Sequence, residues 1–220
     1  MTKADFKNGA LKNLAALAAG GQDLALAWLR QAPETGPVSL AEAATGEIVV
    51  LAGGQSQASR RDPKAEARAW LAADPAGFMT GRPAGPEPGP PLVLFGFGQP
   101  WAVRLLLDAG RRVAVFEPDP LVALAVLSCH DFRAELAAAR LRLLTPWHLA
   151  DSDDHPFKGE PRPALLVNPA ARRRAPAQLA QLARRLAAGP ADFPAGGGGG
   201  RPGGGSVGPV GPVTAAGPRG

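Results

Sequence analysis

Four short apolar runs alternate with helical segments in the second half of the chain, and this alternation limits the fold more than any other feature. The runs span 92–95, 112–116, 141–144 and 164–167. Segments with helical character lie between and after them, at 100–109, 119–127, 134–139 and 176–188. Strands that alternate with helices form parallel sheets with right-handed crossovers. The pattern therefore predicts an α/β fold, a Rossmann-like parallel sheet of about four strands within residues 92–190.

The first 79 residues predict an appendage of helices and a β-hairpin. Residues 8–31 have the apolar spacing of two short helices that are separated at Gly20-Gly21. Two apolar runs flank Thr45-Gly46, which predicts a hairpin between 38 and 51. Asp62-Pro63 predicts a helix that extends to about residue 73, because Asp caps helices and Pro fits the first turn. Residues 80–91 are mostly Gly and Pro, which is typical of a linker.

Glycine and proline also dominate the end of the chain. From Gly196 to Gly220 almost no side chain is available to offset the entropy lost when a backbone becomes ordered. We therefore predict a disordered tail over residues 191–220. Alanine contributes much of the apolar content, so the larger side chains of the four runs must supply most of the core.

Charge and cysteine content limit the partners and the compartment. Cys129 is the single cysteine, which excludes a disulfide-stapled scaffold. The sequence contains no continuous apolar stretch of membrane-spanning length and does not begin like a signal peptide, so we expect a soluble, cytoplasmic chain. The net charge is +5, but the cations are scattered and aromatic residues make up only 5%. This composition permits an anionic small molecule or a protein partner and argues against nucleic acid.

The segment after the first apolar run has the pattern of a nucleoside-cofactor site. A predicted strand ends at Gly96-Phe97-Gly98, and a helix begins immediately afterwards. Gly96 lets the chain turn sharply, and Gly98 lets the backbone approach a ligand near the N–H groups of the helix N terminus. Glu117 follows the second strand, where an acid accepts hydrogen bonds from ribose hydroxyls. The alternative is a glycine turn that serves only to pack the helix closely on the sheet. Pro100 has no backbone N–H, so the helix N terminus offers a ligand one hydrogen-bond donor fewer.

Four other groups of polar residues favour structural interpretations. Asn168-Pro169 follows the fourth strand, where amino-group methyltransferases carry Asn-Pro-Pro and an aromatic residue, but alanines follow here, which favours a plain turn. The segment from His148 to His155 predicts a solvated acidic loop, so we predict no metal site. Cys129-His130-Asp131 are sequence neighbours, which is not the geometry of a catalytic set. Arg172–Arg174 predicts a solvated approach to the last helix, with a phosphate contact as the alternative.

Two motifs together resemble a known family. Ser59, Asp62, Pro63, Glu66 and Ala67 form a Ser-x-x-Asp-Pro-x-x-Glu-Ala pattern, and Gly96-x-Gly98 is followed by Trp101 and by Glu117-Pro118-Asp119. Residues 38–188 thereby resemble the N-terminal region of bacterial motility accessory factor and CgeB-like glycosyltransferases. Pro100 stands where that pattern has a third glycine.

The resemblance implies a methyltransferase-shaped domain at the head of a longer glycosyltransferase whose sugar-transfer module lies downstream. Its cofactor-binding positions would be Gly96, Gly98, Trp101, Glu117 and Asp119. The cofactor itself stays open between a nucleotide sugar and S-adenosylmethionine, and no catalytic residue is identified.

Three functional interpretations follow from the sequence. The first is a non-catalytic domain of a glycosyltransferase-family protein that binds a nucleotide-type molecule or another protein. The second is a methyltransferase that uses S-adenosylmethionine, although Phe95 stands where such enzymes carry an acid before the first glycine. The third is a structural domain with a vestigial pocket.

Overall fold

A computed structural model describes residues 2–73, 91–150 and 163–188 of the chain. The helices are α1 (Lys3–Ala19), α2 (Asp23–Arg30), α3 (Pro63–Ala72), α4 (Pro100–Asp108), α5 (Pro120–Cys129), α6 (Arg133–Ala137), α7 (Pro146–Ala150), α8 (Pro169–Arg174) and α9 (Pro176–Ala188). The strands are β1 (Val38–Glu42), β2 (Ile48–Ala52), β3 (Gln55–Ser56), β4 (Leu92–Phe95), β5 (Val113–Phe116), β6 (Leu141–Leu144) and β7 (Ala164–Val167). None of the helices in these ranges is long and apolar enough to cross a membrane.

The central sheet is parallel and has the strand order β6-β5-β4-β7. Leu92 pairs with Val113 on one side and with Ala164 on the other, so β4 is central. The first strand of the sheet thus lies between the second and the fourth, and the strand order reverses between β4 and β7. In open α/β sheets this reversal creates a crevice at the carboxyl ends of the two strands. The predicted Rossmann-like α/β fold is confirmed.

The sheet is apolar on both faces because helices cover both of them. Leu92, Leu94, Val113 and Val115 belong to one core, which also includes residues of α4 and α5. Val93, Phe95, Ala114 and Phe116 belong to a second core, with α8 and α9. The rings of Phe95 and Phe116 stack there with centroids 5.6 Å apart. The continuous apolar runs of the sequence are therefore strands buried on both sides.

The N-terminal helices separate at Gly20-Gly21 as predicted, but the first one begins earlier than expected. Thr2 accepts a hydrogen bond from the Asp5 N–H, and the Asp5 side chain accepts one in return from the Thr2 N–H. This capping box starts α1 at Lys3. Gly20 lies against the carbonyl oxygen of Leu136, where a Cβ atom would stand only 2.2 Å from that oxygen. The glycine therefore permits close packing of α1 on α6.

The N-terminal part shares its core with the parallel sheet. Asn13 of α1 is buried, and its side chain donates to the carbonyl oxygens of Leu127 and His130 and accepts from the Phe132 N–H. β1 and β2 form the predicted antiparallel hairpin, and Gly46 provides its turn with a φ of +87°. The two-residue strand β3 extends this sheet and was not predicted. Apart from Pro91, the predicted linker at 80–91 and the predicted tail at 191–220 lie outside the described residues.

Candidate functional site

Gly96 makes the sharp turn that the sequence predicted, but its free side is filled by protein. Its φ is +98°, and its N–H donates to the carbonyl oxygen of Phe116 across 2.7 Å. A Cβ atom at this position would stand 2.3 Å from the Cβ of Ala171 and 3.1 Å from that of Asn168. Gly96 thus allows α8 to approach the end of β4 closely. This geometry matches the alternative interpretation, in which the glycine serves packing.

Gly98 is covered by a residue that the sequence analysis did not single out. A Cβ atom at Gly98 would stand 2.3 Å from the Cβ of Gln57, which follows β3 and is only 3% exposed. The backbone of Gly98 therefore approaches the Gln57 side chain, in the position where a cofactor would lie in a ligand-bound Rossmann site. We call the space over Gly96 and Gly98 the cradle. In this structure the cradle is occupied by the side chains of Ala171, Asn168 and Gln57.

Glu117 is completely buried, and both oxygens of its carboxylate accept hydrogen bonds from the protein. One oxygen accepts from the Phe97 N–H at 2.8 Å, and the other accepts from the Asp119 N–H at 3.1 Å and from the Arg174 guanidinium. Burial raises the pKa of Glu117 to about 7, although the Arg174 cation and the two N–H donors each act to lower it. Glu117 joins the glycine turn to α8, and its complete burial leaves it no open side for ribose.

The other two predicted cofactor-binding positions, Asp119 and Trp101, make structural contacts. Asp119 caps α5, because its side chain accepts from the Leu121 N–H at 2.9 Å. Trp101 packs edge-on against the His130 ring, and the Lys64 ammonium lies 4.7 Å from the centroid of the indole. Gly96, Gly98 and Glu117 are thus gathered at one edge of the sheet, whereas Trp101 faces α3 and the end of α5.

A polar network around Arg174 closes the cradle. Its guanidinium donates to Gln57 Oε1 at 3.0 Å and also to Glu117. Asn168 caps α8 through the Ala170 N–H and donates to the Gln57 carbonyl oxygen. The sequence predicted a solvated run for Arg174, and no motif includes Gln57. A partly buried arginine in a short helix has no sequence signal that distinguishes it from its solvated neighbours.

The two motifs of the family resemblance meet in the structure. Ser59 Oγ accepts from the Asp62 N–H, and Asp62 caps α3 by accepting from the Ala65 N–H. Glu66 accepts from the Ser59 N–H at 2.6 Å and from the Gln99 side-chain amide at 2.7 Å. Gln99 precedes α4, directly after the glycine turn. The first motif therefore forms the start of α3, and the Glu66–Gln99 side-chain hydrogen bond connects it to the second motif.

An open crevice remains beside the filled cradle, at the carboxyl ends of β4 and β7. Its volume is about 240 Å³. The residues that line it include Gln57, Glu66, Trp70, Gln99, Asn168 and Arg173. Gln99 is 4% exposed, and its Oε1 has no hydrogen-bond partner among the described residues. The Gln99 amide nitrogen faces Glu66, which can only accept, so the free atom is an acceptor.

The remaining candidate residues do not form a reactive cluster. Cys129 is the last residue of α5 and its Sγ lies 3.4 Å from Ser128 Oγ, whereas Asp131 pairs with Arg133 at 2.5 Å. Burial lowers the pKa of His130 to about 4, which keeps this ring neutral. His148 lies in α7, and its Nδ1 is 3.0 Å from the Thr145 nitrogen. Residues 151–155, which include three aspartates and His155, lie outside the described residues, and the described ranges contain no cluster that could hold a metal ion.

The chain matches no known family model, no curated protein and no solved structure. Any function therefore has to be argued from the residues and their geometry.

The buried carboxyl of Glu117 leads to a prediction on pH and stability. Because its pKa rises from 4.5 in the unfolded chain to about 7 in the folded one, its favourable contribution is complete below pH 4.5 and is lost as the pH rises through 7. We expect the free energy of unfolding of the wild type, relative to Glu117→Gln, to fall by about 3 kcal/mol across this window.

Urea denaturation of the wild type and of Glu117→Gln at a series of pH values measures this difference in the free energy of unfolding. His130 has the opposite slope, because its folded pKa is lowered to about 4, so stability rises with pH up to 6.5. The contribution of His130 is the same in both proteins and cancels in the difference. A difference between wild type and Glu117→Gln that stays constant with pH would show that the carboxyl titrates normally in the folded state.

Proposed function

We propose that this chain is a non-catalytic, Rossmann-like interaction domain of the kind that precedes the sugar-transfer module in motility accessory factor and CgeB-like glycosyltransferases. The family assignment is based on the sequence motifs. It is supported by the Glu66–Gln99 hydrogen bond at 2.7 Å, which joins the two motifs into one unit although a segment outside the described residues separates them. Because Glu66 and Gln99 contact each other in the fold, we expect the two motifs to be present together in the same chain.

The filled cradle is the observation that favours interaction over catalysis. A cofactor in a Rossmann site needs the backbone of the second glycine and the acid that follows the second strand. Here Gln57 covers Gly98, and Glu117 holds Phe97, Asp119 and Arg174. A methyltransferase function would require Gln57 to move and Glu117 to exchange its donors for ribose hydroxyls. In a buried position that exchange costs several kcal/mol that a ligand would have to supply.

Nucleotide-type binding beside the cradle is a second candidate. It is favoured by the crevice, where the free Gln99 Oε1 can accept a hydrogen bond and the exposed guanidinium of Arg173 can contact an anion. A buried polar atom without a partner is uncommon in native proteins, and a ligand is one way to satisfy it. Such a ligand would leave Gly98 and Glu117 untouched.

Calorimetric titration with S-adenosylmethionine, NAD and UDP-N-acetylglucosamine separates these functions. We expect no saturable binding of any of the three up to about 1 mM, because the cradle is filled. Micromolar binding of S-adenosylmethionine alone would overturn the interaction-domain proposal in favour of a methyltransferase. Binding of the nucleotide sugar that is lost in Gln99→Leu but kept in Glu117→Gln would favour the crevice, because Gln99 lines the crevice and Glu117 does not.

A further inference from the structure

A groove lies between α1 and α2, and Leu124 of α5 also lines it. Its volume is about 480 Å³. On α1 the lining residues Lys3, Lys7, Leu11, Leu14 and Ala18 repeat at intervals of three or four, so they form one stripe along the helix. This stripe is separate from the Asn13 side of α1, which faces the protein core.

The groove is polarised along its length. Lys3 donates to the carbonyl oxygen of Arg30 at 2.8 Å, so the start of α1 lies beside the end of α2. Lys3, Lys7 and Arg30 therefore stand together at one end. Only Lys3 has a carboxylate partner there, Glu34 at 3.2 Å, and Glu34 is 80% exposed. Within the described ranges, Lys7 and Arg30 are exposed cations that have no carboxylate partner.

The other end of the groove is apolar. Leu11 is 54% exposed and lies within the groove, next to the partly buried leucines of its lining. Leu14 and Leu26 are partly buried beside it, and Leu29 and Leu124 form the floor. None of the described residues that line the groove is acidic. A helix that docks in such a groove presents apolar anchor side chains at intervals of three or four residues.

We propose that this groove docks an amphipathic helix of a partner, with leucine-type side chains on the apolar end and acidic side chains against Lys7 and Arg30. The inference rests on the proposed function as an interaction domain and names its partner surface. Charge complementarity decides the occupant. A second copy of this chain would bring the same cations to the same end, whereas an acidic helix neutralises two unpaired cations and covers an exposed leucine.

The test uses two labelled helical peptides of about 14 residues, with leucines spaced for one face and either Glu or Lys in the terminal turn. Fluorescence anisotropy with the full chain should give a Kd of about 50 µM for the Glu peptide and at least about tenfold weaker binding for the Lys peptide. Lys7→Glu should weaken the Glu peptide about fivefold and strengthen the Lys peptide. Lys12→Glu, also exposed on α1 but outside the groove, is the matched control and should change neither.

Leu11→Asp provides a second variant, because an exposed leucine can be replaced without loss of the fold. It should abolish binding of the Glu peptide. Equal binding of the two peptides, or no effect of Lys7→Glu, would overturn the proposal, as would binding to vesicles of anionic lipid but to neither peptide. This test is independent of the calorimetric one: nucleotide or S-adenosylmethionine binding contradicts the proposed function, whereas absent peptide binding contradicts the groove alone.

Discussion

Gly96→Ala is expected to lower the free energy of unfolding by about 2–5 kcal/mol. Two costs combine at this position. A φ of +98° is unfavourable for any residue with a Cβ atom, at about 1–2 kcal/mol. The new methyl group would also stand 2.3 Å from the Cβ of Ala171, so α8 has to move away from the sheet, and overpacking of this kind costs about 1–3 kcal/mol. Urea denaturation monitored by circular dichroism measures the loss.

Gly110→Ala is the matched control, because Gly110 also has a positive φ, +77°, but a Cβ atom added there would meet no described atom within 4 Å. It should cost only the conformational part, about 1 kcal/mol. Ala171→Gly in the Gly96→Ala background removes the facing methyl group and should restore the overpacking part. If Gly96→Ala costs no more than Gly110→Ala, α8 does not pack on the turn, and the cradle is open to a ligand.

The sequence was sufficient to predict the sheet because its signals are local and redundant. The runs at 92–95, 112–116, 141–144 and 164–167 correspond to β4–β7 with at most one residue of difference. Buried parallel strands are apolar throughout, and each is followed here by a helix that begins with proline two to five residues later. The strand order β6-β5-β4-β7 was not predicted, because right-handed crossovers are compatible with more than one order.

The state of the candidate site could not be predicted in the same way. Gly96, Gly98 and Glu117 lie where the pattern put them, at the carboxyl ends of β4 and β5. Their surroundings depend on Gln57 and Arg174, which are 41 and 76 positions from Gly98 in the chain and carry no motif. A glycine that admits a cofactor and a glycine that admits a protein side chain have the same sequence signature, since both provide only the absence of a Cβ atom.

Arg174→Met is expected to have the second large effect, and its size should depend on pH. Above the pKa of Glu117, the substitution leaves a buried carboxylate with two N–H donors and no counter-charge. Removal of one partner of a buried ion pair costs about 3–5 kcal/mol while the other group stays charged, but Glu117 can take up a proton, which limits the total cost at pH 8 to about 2–3 kcal/mol. Near pH 5 Glu117 is protonated in the folded wild type and in the variant, because its folded pKa is about 7 or higher, so the cost there should be about 1 kcal/mol.

The control for position is Arg172→Met, an exposed arginine in the same helix, which should change stability by less than about 0.5 kcal/mol at either pH.

The control for mechanism is Glu117→Gln combined with Arg174→Met. Because this pair removes both charges together, it should recover most of the stability at about pH 8 and lose its pH dependence. If Arg174→Met were equally harmful at both pH values and were not rescued by Glu117→Gln, the hydrogen bond from Arg174 to Gln57 would be its main contribution. The cradle would then be closed by the contact between Arg174 and Gln57, and not by the ion pair with the buried Glu117 carboxylate.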